Sequence, residues 1–249
     1  MSRNFELLTQ IEHERELASK DPRSRVSAHP PIVKEVVPML ASRAGDARGE
    51  EMLRLVQNIF LSTNGSAPRQ VVICGVDGEN GSSSVCASVG RTLAANSSRQ
   101  VCLIDANVRS PRLSGIFGVD KMTPFSTNMV SAREHCLQID DNLWLAGPSL
   151  LADNNRVLLP VHELKERFAQ LRDVFEYVLI DAPGTSVCGD AQLLGQVADA
   201  AILVIEANST RRLTARNAKE GLDAAGIRLL GTVLHNRSFV IPEALYKRL

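Results

Sequence analysis

Apolar residues along this chain follow two rhythms. At 71–75, 101–106, 143–146, 177–181, 200–205 and 229–234, short β-branched runs are apolar at nearly every position. Runs apolar on both faces describe strands buried between two layers. Between them, near 83–96, 161–173, 189–197 and 211–225, the spacing turns helical. Strands alternating with helices imply parallel crossovers, so the pattern predicts an α/β fold: a doubly wound, mostly parallel sheet flanked by helices. No internal repeat or low-complexity tract interrupts it.

Ahead of the first strand, residues 50–61 (EEMLRLVQNIFL) place Met52, Leu55, Val56, Ile59 and Phe60 on one stripe, predicting a helix that ends near the turn signal Asn64-Gly65-Ser66. Residues 1–48 differ in character. They open with a charged segment and are broken by Pro22, Pro30 and Pro31, while Phe5, Leu7, Leu8, Ile11 and Leu17 suggest one short docking helix. The expected organisation is a mobile N-terminal arm over 1–48 and an α/β domain over 49–249.

Composition narrows the functional classes. Lys+Arg (28) balance Asp+Glu (28), which removes the whole-protein electrostatic case for nucleic acid as a partner. The five cysteines show no C-x-x-C spacing and read as reduced, buried thiols of a cytosolic protein. The histidines are scattered, which argues against a histidine metal site. No apolar run reaches the roughly 18 residues of a membrane span, so membrane association is expected through a partner.

Ligands of such sheets bind beyond the carboxyl ends of the strands. After the first strand comes Gly75-Val-Asp-Gly78-Glu-Asn-Gly81-Ser82-Ser83-Ser84, then a helix. Glycines let backbone amides converge on an anion, and the helix N-terminus adds partial positive charge. The standard phosphate loop ends Gly-Lys-Ser/Thr, the lysine reaching the β/γ-phosphates and the hydroxyl binding Mg²⁺. Gly81 and Ser83 fit that ending, but Ser82 stands in the lysine position. The plainer alternative is a polar turn before a serine-capped helix. Two further strands end on aspartates, Asp105 and Asp181, where an ionised carboxylate is costly unless paired, and a hydrated Mg²⁺ is a natural partner. A helix cap or loop contact is the alternative for each.

Together these segments resemble the bacterial tyrosine kinase (BY-kinase) family of capsule and exopolysaccharide systems, a P-loop NTPase-like branch that includes the Min- and Par-type ATPases. The resemblance spans about residues 50–249. The 101–111 run, with Asp105-x-Asn107-x-Arg109-x-Pro111, is similar to the Walker A′ segment. The 177–183 run is similar to Walker B, and Gly231–Arg237 with Ile241–Leu249 is similar to the family's polysaccharide-associated endings. The resemblance implies ATP or ADP with Mg²⁺ as cofactors. It places Gly78, Gly81, Ser82, Ser83, Ser84 and Arg109 around the phosphates, Ser83 and Asp181 on the metal, and Asp105 and Asp181 in catalysis. Asn236, or His235 beside it, falls near the base. Glu51, Arg54 and Gln57 resemble the motif through which neighbouring subunits dock as a homo-oligomer. The implied partner is an integral-membrane polysaccharide co-polymerase or adaptor, and the implied place is cytoplasmic, peripheral to the inner membrane.

The departures matter equally. Ser82 replaces the lysine, Asn107 the second Walker A′ aspartate, and Gln57 an arginine. In place of the family's tyrosine cluster there are two tyrosines, Tyr177 and Tyr246. Three readings follow: a weakly active or inactive nucleotide-binding regulatory subunit, an active tyrosine kinase of the export complex, or a Min/Par-type positioning ATPase. The first accounts best for a thinned catalyst and a thinned substrate.

Overall fold

The computed structural model describes residues 37–40, 47–61, 67–78, 81–119, 132–152 and 158–237. The docking helix expected within residues 5–17, the turn at 64–66 and the 241–249 tail with Tyr246 lie outside the described residues. In chain order the elements are β1 (Val37–Leu40), α1 (Ala47–Ile59), β2 (Gln70–Gly75), α2 (Ser82–Asn96), β3 (Val101–Asp105) and α3 (Leu113–Phe117). Then follow β4 (Cys136–Asp140), β5 (Leu143–Ala146), α4 (Val161–Val174), β6 (Tyr177–Ala182), α5 (Asp190–Val197), β7 (Ala200–Glu206), α6 (Arg212–Ala224) and β8 (Leu229–Arg237).

Among the described residues eight strands form one sheet, ordered β1-β8-β7-β2-β6-β3-β5-β4. Every neighbouring pair is parallel except β4 with β5. The doubly wound, mostly parallel sheet expected from the apolar runs is therefore what forms. Strand alternation sorts side chains into two cores. From β2, β3 and β6, residues such as Val72, Ile104 and Ile180 pack against Leu164 and Phe168 of α4 and Leu222 of α6. Their odd-numbered neighbours, such as Ile73, Leu103 and Leu179, pack against Val56 of α1 and Val85 and Leu93 of α2. These side chains are fully buried, each stabilising by about 1.5–3 kcal/mol relative to exposure.

Three elements escaped the apolar pattern. β1 falls within the 1–48 stretch and carries Pro38, which lacks an N–H and is tolerated because β1 is an edge strand. β4, also an edge strand, is half-exposed and alternates instead of running apolar. α3 is too short to display a helical period.

Below the sheet, at the amino ends of the strands, Asp199 Oδ2 accepts from the backbone amides of Arg69 (2.8 Å) and Gln70 (2.9 Å). Its Oδ1 accepts from the Arg172 guanidinium at 2.6 Å. Burial pushes the Asp199 pKa up, but Arg172 and the two amides outweigh it and leave the carboxyl below its usual range. This staple ties α4 to β2 at the amino end of the sheet, leaving the carboxyl end for the site.

Candidate functional site

At the carboxyl end of β2 the chain turns through Val76, Asp77 and Gly78 and reaches α2 at Gly81. Gly81 has φ +77° and precedes the first helical residue, with no side-chain cap bond. The serine-capped alternative is thus not what forms. Ser82, Ser83 and Ser84 occupy the first turn, whose amides have no acceptor within the helix. A Cβ on Gly81 would lie 2.3 Å from Cδ2 and 2.4 Å from Nε2 of His235, so the imidazole at the end of β8 abuts the loop. Asn236 beside it is exposed, with φ +55°, and its Nδ2 donates to Glu206 Oε1 at 3.0 Å. Of the two residues expected near the base, His235 is the one against the loop.

The segment after β6 closes on the same loop. A Cβ at Gly184 would lie 2.3 Å from the Asp77 carbonyl oxygen. The amides of Thr185 and Ser186 donate to the carbonyls of Gly75 (2.9 Å) and Val76 (3.0 Å). Backbone therefore fixes the two loops to each other.

Alternation along β6 sends Tyr177 and Leu179, and hence Asp181, to the α2 face. Asp181 is fully buried, and neither carboxylate oxygen has a hydrogen-bond partner. Burial raises its pKa to about 8; the nearby Ser83 hydroxyl lowers it, the Asp105 charge raises it, and Arg112 and the Ser82 hydroxyl lower it. Both hydroxyls stand close enough to favour the charged form, yet neither completes a hydrogen bond by distance and angle.

Asp105 is buried too but well supplied. Its Oδ2 accepts from the amides of Arg112 (2.8 Å) and Leu113 (2.9 Å), and its Oδ1 from Asn107 (3.3 Å). Asp105 thus caps the start of α3. Burial raises its pKa to about 6 against the pull of these three amides.

A cleft of about 140 Å³ lies among these parts, room for phosphate groups more than for a whole nucleotide. It brings together Gly78, Gly81, Ser82, Ser83 and Ser84 with Asn107, Arg112 and Gly184. Arg109 is exposed on the loop after β3 and outside this lining. Arg112 escaped the sequence reading; its only signal is a cation placed shortly after a strand-end aspartate. Among the described residues no cluster of three or more His, Cys, Asp or Glu could hold a metal alone. An orphaned carboxylate beside a serine hydroxyl nevertheless fits a hard cation that takes its remaining oxygen ligands from water and phosphate, as Mg²⁺ does.

No family model matches the chain. It is 26% identical over 194 residues to the tyrosine-protein kinase YwqD of Bacillus subtilis, covering 76% of this chain and 81% of YwqD. The kinase domain of the Escherichia coli tyrosine kinase ETK superposes with a TM-score of 0.65 at 17% identity, over 88% of each chain. The MinD cell division protein of Aquifex aeolicus gives 0.56 at 20% identity, over 72% of each. Those two likenesses speak for the fold. The homologues of this chain are thus bacterial tyrosine-protein kinases, and its architecture is the P-loop fold that their kinase domains share with MinD.

Proposed function

We propose that this chain is a nucleotide-binding regulatory subunit of an exopolysaccharide or capsule export complex, kinase-like in build and weak or inactive in phosphoryl transfer. One observation carries the reading: Ser82 and Ser83 line a phosphate-sized cleft, and Asp181, outside that lining, is buried near their hydroxyls with no hydrogen bond to either carboxylate oxygen. The amides of Gly81 and the first turn of α2 bind phosphate, while Ser83 and Asp181 hold Mg²⁺, which supplies charge neutralisation when bound. A serine hydroxyl donates a hydrogen bond but brings no charge. Missing groups of the lysine kind commonly cost several kcal/mol at the transition state.

The same reading gives the chain a cytoplasmic position beside the inner membrane, held there by an integral-membrane co-polymerase. Arg54 and Gln57 are exposed on α1, opposite buried Met52, Leu55 and Val56, which suits self-association through Glu51, Arg54 and Gln57.

Calorimetric titration of ADP and ATP with Mg²⁺, comparing wild type with Ser82→Lys and Asp181→Ala, tests the site. Measurable weak binding, tightened by Ser82→Lys and abolished by Asp181→Ala, is the expected result; indifference to both changes sinks the proposal. A second reading, an active tyrosine kinase, draws support from Asp105 and Asp181 standing side by side at the strand ends. Transfer of labelled phosphate from ATP to tyrosine, lost in Asp181→Ala, would decide in its favour.

A further inference from the structure

We infer that Arg112 is the phosphate-binding cation of this cleft, standing in for the lysine that Ser82 displaces. The inference rests on the nucleotide reading above and deepens it. Arg112 lines the cleft together with Ser82 and Ser83, and among the described residues of that lining it alone carries a charged side chain. An anion entering against the α2 amides therefore meets the positive charge of Arg112, approaching from the β3 side of the crevice.

The backbone explains why the residue stays there. The Arg112 amide donates to Asp105 Oδ2 at 2.8 Å and the Leu113 amide to the same oxygen at 2.9 Å. The main chain beneath the guanidinium is thus anchored to the end of β3, and less freedom is lost when the side chain engages a ligand. The charge also reaches the interior of the site, where it favours the ionised form of Asp181. Guanidinium suits the role: it stays protonated, is planar and can grip two phosphate oxygens together. Among the described residues, Arg109 is exposed outside the lining, and the His235 imidazole lies against Gly81, also outside it.

The arrangement divides between two elements what the standard loop concentrates in one. Ser82 leaves the amides of α2 to bind, and the charge arrives from the segment between β3 and α3. Such a cation steadies bound phosphate, but it does not occupy the lysine's place.

Calorimetry of Mg²⁺ with ADP and ATP on the full chain tests this with wild type, Arg112→Gln, Arg112→Lys, Ser82→Lys and the Ser82→Lys/Arg112→Gln pair. The amide that Arg112 gives to Asp105 is kept in the glutamine variant; its melting point is measured beside wild type, and Arg112→Met serves if it falls. The expected loss in Arg112→Gln is about tenfold or more in affinity, partly restored in Arg112→Lys. Ser82→Lys should shrink that loss, a non-additivity that two unrelated residues would not show. Wild type and Arg112→Gln binding equally overturns the inference while leaving the nucleotide site standing. No binding by wild type overturns both.

Discussion

Asp105 and Asp181 occupy matched positions on the adjacent parallel strands β3 and β6, yet one carboxylate receives three backbone amides and the other none. The consequence is a pH dependence of stability. Unfolded, both groups titrate near pH 4. Folded, they titrate near 6 and 8, because burial penalises the charged form. The folded chain therefore keeps protons that the unfolded chain has already released, and stability from these groups is complete below about pH 4 and falls as pH rises through both folded values. Metal-free protein should melt lower at about pH 8.5 than at about pH 5.5, and Asp181→Asn should melt above its parent at the higher value. Thermal scans across pH would contradict this if the parent profile were flat.

Asp105 is predicted to matter for local structure as well as chemistry. Asp105→Ala should cost about 1–2 kcal/mol through the loss of the α3 cap, and Asp105→Asn less. Urea unfolding gives the stability change. Nucleotide titration should show the alanine variant weakened too, since the Arg112 backbone loses its anchor.

Two glycines give opposite expectations. Gly184→Ala drives a Cβ into the Asp77 carbonyl, backbone against backbone, and should cost about 1–3 kcal/mol while loosening the phosphate loop. Gly115→Ala in α3 meets nothing within 4 Å and should be neutral or stabilising by up to about 1 kcal/mol. Melting curves of the pair separate the two cases.

Tyr177 is expected to act as a structural residue and not as a phosphate acceptor. It is 8% exposed, its hydroxyl donates to the Phe60 carbonyl at 3.2 Å, and its ring meets Phe60 edge-on at 5.6 Å. Tyr177→Phe should cost about 1 kcal/mol. Mass spectrometry after incubation of folded protein with ATP and Mg²⁺ should find Tyr177 unmodified.

The sequence was most legible where burial was two-sided. The runs that became β2, β3, β6 and β7 are apolar at nearly every position because helices cover both faces, and their shortness and β-branched content mark them as strands. β4 is half-exposed and left no clear trace, and β1 is a four-residue strand too short to show a period. At the site, residues joined by one turn, Gly78 and Gly81 through Ser84, could be grouped by spacing alone. Placement across elements could not. His235 against Gly81, Gly184 against Asp77 and Arg112 within the cleft each depend on the packing of segments distant in sequence. The same limit left Asp105 open between a site residue and a cap, a choice that depends on where the amides of Arg112 and Leu113 fall.

The strict alternation of β6 gives that strand a constraint of length as well as of composition. Inserting or deleting one residue between Tyr177 and Ile180 would rotate everything after it to the opposite face. A carboxylate would then enter the α4–α6 core, and Ile180 or Ala182 would face the first turn of α2. Substitutions along the strand can be judged one at a time by fit and burial. A single-residue change in its length would be expected to remove the site and spoil the opposite core together, so β6 should tolerate conservative exchange far better than any shift in register.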